Sequence, residues 1–217
     1  PNGTLAFEDA VAEYGRIVRA GAAAGADLVF FETFTDLYEL KAALLAAKEN
    51  CTLPILASMS FEAGGRTFTG CTVESFAVTA RGLGADAVGI NCSLGPKEIF
   101  PMAKRLAEAL PGDFPVFVKP NAGLPRADGS GYDITPQLFA MEMKPYRELK
   151  LFAAGGCCGT TPDFIRLLNG VFADCRPGRA SHAMPSVLCS PMDFVTVDGI
   201  TVVGERINPT GKKRFQQ

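Results

Sequence analysis

The sequence predicts an α/β protein built on a parallel sheet, of the (β/α)8 TIM-barrel type. Three features of the 217 residues point there. Short apolar runs alternate with longer amphipathic stretches. The runs begin about 30 residues apart, the length of a strand–helix–strand unit. Polar or reactive residues close nearly every run: Glu32-Thr33, Ser58 and Ser60, Asn91-Cys92, Lys119 and Asn121, and residues 155–158. A barrel gathers all its strand ends around one site. The competing architecture, a doubly wound sheet, places its ligand at a single switch point.

Strands are expected at residues 27–32, 55–60, 87–91, 116–119 and 151–154, where Val, Ile, Leu, Phe and Ala run almost unbroken. Such runs suit strands buried on both faces. A helix over 7–24 precedes the first strand. Residues 36–48 carry Leu37, Leu40, Leu44 and Leu45 at helical spacing, behind Asp36 as a capping acid. Residues 73–83 and 97–110 keep the same period. Thr161-Pro162 reads as a cap followed by proline at the first helical position, opening a helix over 163–168. Five strands fall short of eight, so an incomplete barrel is expected, equivalent to strands four to eight, with about three N-terminal strand–helix units missing.

Residues 1–175 are read as the C-terminal part of the barrel. Residues 176–193, rich in Pro, Ser and small residues, read as a linker. Residues 194–217 read as the truncated start of a second domain, with Asp198-Gly199 as a hairpin turn.

A net charge of −2 with scattered basic residues offers no electrostatic footprint for nucleic acid or an anionic membrane. No apolar run reaches the roughly 18 residues of a membrane span, and no secretory signal opens the chain. Seven cysteines, an odd number, are too few for a disulfide scaffold. They fit a reducing, cytoplasmic setting, where clustered cysteines bind metal or do chemistry.

Chemistry is concentrated in Gly155-Gly156-Cys157-Cys158-Gly159. Neighbouring strand residues point to opposite faces. Two adjacent cysteines therefore reach one metal only where the chain leaves strand geometry, which the flanking glycines permit. Cys92 follows another strand, and a barrel brings both loops to one rim. Three protein ligands and an open position are the pattern of catalytic zinc. Three thiolates keep a metal-bound substrate sulfur electron-rich, which suits alkyl transfer to sulfur better than hydrolysis. The competing readings are buried packing, adopted for Cys51, Cys71, Cys175 and Cys189, and a redox pair, which more naturally takes the spacing Cys-X-X-Cys.

Glu32, at the end of an apolar strand, is placed either to receive a substrate amino group or to serve as a capping or paired carboxylate. Asn121 could reach the metal or the substrate, or brace its own loop. Lys119 could be a Schiff-base amine of a barrel aldolase. His182 is the only histidine and lies in the linker stretch, so histidine-rich metal sites and Ser–His–Asp triads lack their usual base.

Phe31-Glu32-Thr33, Ser58-Met59-Ser60-Phe61, Gly65-Arg66-Thr67, Gly89-Ile90-Asn91-Cys92, Lys119-Pro120-Asn121-Ala122-Gly123 and Gly155-Gly156-Cys157-Cys158-Gly159 together resemble the homocysteine S-methyltransferase domain. They occur in that family's order across residues 3–172. The resemblance implies a (β/α)8 barrel with Cys92, Cys157 and Cys158 as ligands of Zn2+. It implies that Glu32 binds the amino group of L-homocysteine, that Ser58 lies in the substrate-contacting rim, and that Asn121 stands near the metal. The first barrel strand, which in the family supplies an aspartate for the amino group, is missing.

Further on, Val203-Gly204-Glu205-Arg206-Ile207-Asn208-Pro209-Thr210-Gly211 resembles the opening of the pterin-binding barrel of cobalamin-dependent methionine synthases. Asn208 matches a pterin-contacting asparagine. The implied methyl donor to homocysteine is methylcobalamin, held on a cobalamin-binding domain of the same full-length chain or of a partner. Methyltetrahydrofolate is implied as ligand of the pterin domain. The alternatives are another thiol or selenol methyltransferase of the same fold, and a non-catalytic fragment. The isolated piece is expected to be inactive or very weakly active.

Overall fold

A computed structural model describes residues 3–178, 186–197 and 199–200. The expectations for His182 and Asn208 lie outside these residues. Apolar runs and amphipathic stretches alternate as helix and strand: α1 (Phe7–Ala23), β1 (Val29–Phe34), α2 (Leu37–Asn50), β2 (Ile55–Met59), α3 (Val73–Gly82), β3 (Ala87–Asn91), α4 (Pro96–Glu108), β4 (Val116–Lys119), α5 (Pro136–Met143), β5 (Ala153–Ala154) and α6 (Pro162–Phe172). A 3-10 turn, Lys144–Leu149, follows α5.

The five strands are parallel and lie in the order β1-β2-β3-β4-β5. Strand order equals chain order, with no reversal, so a doubly wound switch point does not form. Alternate residues go to opposite faces. Phe31, Ile55, Ala57, Met59, Val88, Ile90, Val116 and Val118 join the helix-side core with Leu40, Leu44, Phe76, Ile99, Leu106 and Phe139. Phe30, Leu56, Gly89 and Phe117 have the opposite parity. In a flat sheet at about 4.8 Å per strand, β1 and β4 would stand about 14 Å apart. Yet the Phe30 and Phe117 rings meet edge-on with centroids 5.4 Å apart. The sheet is bent around that face as barrel staves are, giving a partial barrel.

Local chemistry explains the boundaries. Asp36 caps α2, its carboxylate accepting from the N–H groups of Tyr38 and Glu39. Thr72 caps α3 through Ser75 N–H. Pro162 occupies the first turn of α6 as expected, although Thr161 makes no side-chain cap bond. No helix is assigned from sequence at α5 or the 3-10 turn, because α5 is only eight residues long and Pro145 interrupts the stretch just beyond it. β5 is shorter than expected, with only Ala153 and Ala154 in register with β4.

Beyond α6 the described chain forms a two-stranded sheet. β6 (Ser186–Cys189) pairs antiparallel with β7 (Phe194–Val197), Cys189 opposite Phe194. The turn is closed by Ser190 N–H donating to Asp193 O (2.8 Å). β6 thus lies inside the stretch read as a linker, while the hairpin expected around Asp198-Gly199 falls largely outside the described residues. The β6–β7 hairpin docks beside α3, where Thr72 N–H donates to Pro191 O (3.0 Å) and the Thr79 hydroxyl contacts Cys189 Sγ at 3.4 Å. Among the described residues, no helix is long and apolar enough to cross a membrane.

Candidate metal centre

Two loops at the C-terminal ends of β3 and β5 carry the three clustered cysteines. Leaving β3, the chain turns sharply: Cys92 and Ser93 both adopt left-handed conformations, with φ of 65° and 67°. Cys92 N–H donates to Lys119 O (3.1 Å) and Leu94 N–H to Cys92 O (2.8 Å). Non-glycine residues held this way cost on the order of 1–3 kcal/mol each.

The loop after β5 is laced to the loop after β4. Cys157 N–H donates to Pro120 O (2.8 Å), Cys158 N–H to Asn121 Oδ1 (3.1 Å), and Ala122 N–H to Cys158 O (2.9 Å). Of the glycines flanking the pair, Gly159 has the positive φ, 78°. Gly156 serves by having no side chain, since an added Cβ would meet Thr160 Oγ1 at 2.4 Å.

The sulfurs of Cys92 and Cys158 stand 3.6 Å apart, those of Cys157 and Cys158 4.0 Å apart, and all three lie within 4.8 Å of one another. Zinc–sulfur bonds of about 2.3 Å in a regular tetrahedron put sulfurs about 3.8 Å apart. The triangle therefore fits one Zn2+ with a fourth vertex to spare.

Asn91 ties this rim together. It is fully buried. Its Oδ1 accepts from the Ser58 hydroxyl (2.8 Å) and from Thr33 N–H (3.2 Å), while Nδ2 donates to Thr33 Oγ1 (2.6 Å) and contacts Cys157 Sγ (3.7 Å). Thr33 itself is left-handed, φ 66°, at an irregularity of β1. Across the concave face, Lys119 Nζ forms an ion pair with Glu32 Oε1 and lies 5.2 Å from the centre of the Phe30 ring. Both contacts suit an ammonium, not the free amine an aldolase needs.

Residues 1–172 match the family model of homocysteine S-methyltransferases. The chain belongs to this family. It is 35% identical over 204 residues to a methionine synthase of Mycobacterium tuberculosis and 34% identical over 209 residues to one of Mycobacterium leprae. Each match covers 89% of this chain, which spans only 17% of either relative's length. Among solved structures, the homocysteine methyltransferase MmuM from Escherichia coli shares the fold. Its apo form has a TM-score of 0.63 at 24% identity, covering 79% of this chain and 60% of that one. Its metallated form has a TM-score of 0.65 at 23% identity, covering 78% and 53%.

In this chain the three cysteines named from sequence come together. Glu32 stands on the same concave face but is held by Lys119. Ser58 is fully buried and reaches the rim only through Asn91. Asn121 accepts from the Cys158 backbone N–H through Oδ1, which is the loop-bracing role. All seven cysteines are free thiols. Burial, above all, pushes the Cys71 thiol up to about 12, in keeping with a packing role.

Three residues escaped the sequence reading as site residues. Asn91 was visible as a polar end to an apolar strand. Lys119 reads from sequence only as an amine nucleophile. Tyr132 gave no signal, yet its ring lies against Gly159, where an added Cβ would meet it at 2.3 Å. Burial first, and then the adjacent Cys158, hold its phenol above the ordinary range.

Proposed function

We propose that the chain methylates the thiol of L-homocysteine, giving methionine, with Cys92, Cys157 and Cys158 as the ligands of one Zn2+. The observation that carries this reading is the sulfur triangle, whose 3.6 Å and 4.0 Å edges match a tetrahedral thiolate site. When bound, the metal would supply the charge that takes the proton from a substrate thiol at neutral pH and leaves the sulfur nucleophilic.

The chain's own residues do the rest. Asn91 directs an amide N–H at Cys157 Sγ and so shares the charge on that sulfur. Ser58 fixes Asn91, and Asn121 fixes the backbone of Cys158. Glu32 receives the substrate ammonium on the concave face. Methylcobalamin is the proposed donor, carried by a cobalamin-binding domain of the same full-length chain or a partner. Methyltetrahydrofolate is proposed to bind through Asn208 in the following domain. Support for both comes from residues 203–211 and from the likeness to the mycobacterial methionine synthases. The same reading keeps the division into 1–175, a linker at 176–193 and 194–217. It also places the chain in a reducing cytoplasm, where seven free thiols stay reduced.

The test is metal analysis of the chain purified under reducing conditions, with methyl transfer assayed in a full-length protein that carries the cobalamin-binding domain and the same substitutions. About one zinc per chain is expected, and Cys92→Ala and Cys158→Ala should each lose both zinc and methyl transfer. Wild-type protein that takes up no zinc would end this reading. Activity that survives without cobalamin would replace the donor.

A further inference from the structure

Glu32 and Lys119 sit three strands apart in the sheet, yet their side chains meet over its concave face. Their unused hydrogen-bonding capacity is specific. A carboxylate offers two oxygens and an ammonium three N–H donors. Lys119 takes Oε1, and among the described residues Glu32 Oε2 has no protein partner. The remaining Lys119 donors likewise have no acceptor there. Neither side chain is deeply buried, with Lys119 29% and Glu32 35% exposed, so both groups open onto the face. The paired charges therefore present one free anionic acceptor beside free cationic donors. That is the complement of an α-amino acid's backbone, one ammonium beside one carboxylate.

We propose that Lys119 is a specificity residue that takes the substrate's α-carboxylate while Glu32 Oε2 takes its α-ammonium, so that the pair reads the amino-acid zwitterion as a unit. The proposal deepens the homocysteine reading and rests on it. Position supports it. Lys119 is in register with Asn91, the residue before Cys92, and Cys92 N–H bonds Lys119 O. The carboxylate site thus adjoins the sulfur triangle on the next strand. Phe30, under the ammonium, keeps the lysine head on this face. A pair left intact on binding avoids the penalty of stripping either charge of its partner.

Three thiols separate the parts: L-homocysteine, 3-aminopropane-1-thiol, which lacks the carboxylate, and 4-sulfanylbutanoate, which lacks the amine. Their dissociation constants are measured by calorimetry on zinc-loaded wild type, Lys119→Met, Lys119→Arg and Glu32→Gln, with zinc content determined on each sample. Lys119→Met should weaken L-homocysteine and 4-sulfanylbutanoate by about tenfold or more, the worth of a charged hydrogen bond. It should leave 3-aminopropane-1-thiol within about twofold. Lys119→Arg should recover part of the loss and also serves should the Met variant fold poorly. Glu32→Gln should weaken the two amine-bearing thiols more than 4-sulfanylbutanoate. If Lys119→Met weakens all three thiols alike, Lys119 merely props Glu32 and the proposal falls while the zinc reading stands. If it changes none, the proposal falls in the same way. Wild-type protein that lacks zinc and binds no thiol overturns both.

Discussion

The tightest constraints at the residue scale lie at the ends of the strands. Thr33, Cys92 and Ser93 are left-handed without being glycine. Asn91 occupies the buried point between them, with every polar atom of its side chain engaged. The strain is offset locally by these bonds, and it aims Cys92 at the loop that carries Cys158. Gly89, one turn of the pleat below Asn91, has the opposite requirement. An added Cβ there would meet the Phe117 ring at 2.3 Å and the Phe117 carbonyl at 2.6 Å. The ring can swing, but the carbonyl belongs to the β3–β4 ladder. Gly89→Ala should therefore destabilise the fold by about 1–3 kcal/mol, read by urea unfolding. An unchanged midpoint would show that β4 shifts freely.

At the scale of elements, helices α3 and α4 are joined by a bidentate pair. Arg105 Nε and Nη2 donate to Glu74 Oε1 and Oε2 at 2.6 and 2.7 Å. The Arg105 hydrogen bond holds the Glu74 carboxyl below its ordinary value, against the opposing effect of burial. A carboxyl lowered by folding contributes stability that is fully present above its unfolded value, about 4.3. That contribution is lost as pH falls through the folded value. The stability difference between wild type and Glu74→Gln should accordingly be constant near pH 7 and shrink below about pH 4.3. Thermal melts across that range measure it, and a difference that stays flat into acid would remove the ion pair as its source. Sequence reading succeeded at this scale where periods were long and caps explicit. α2 behind Asp36 is the clearest case. It failed at α5, whose eight residues are too few to show a period.

For the molecule as a whole, the decisive feature is the bend that brings Phe30 to Phe117 and Glu32 to Lys119. Among the described residues, β2, β3 and β4 each have strand neighbours on both sides, whereas β1 and β5 each pair with one, and β5 over only two residues. Amide exchange should therefore be slowest in 55–59, 87–91 and 116–119 and faster in 153–154. Equal protection at β5 would mean that something further covers that edge. The sequence by itself determined the α/β class, the five strand positions and the identity of the three cysteines. These depend on local period, on apolar content, and on a glycine-flanked pair that no ordinary strand could use for one metal. Only the tertiary structure decided that the sheet curves, that Asn91 rather than Ser58 holds the rim, and that Lys119 stands on Glu32. Each of these is a contact between residues 33 to 87 positions apart. Their meeting depends on sheet curvature and side-chain reach, which no local pattern encodes.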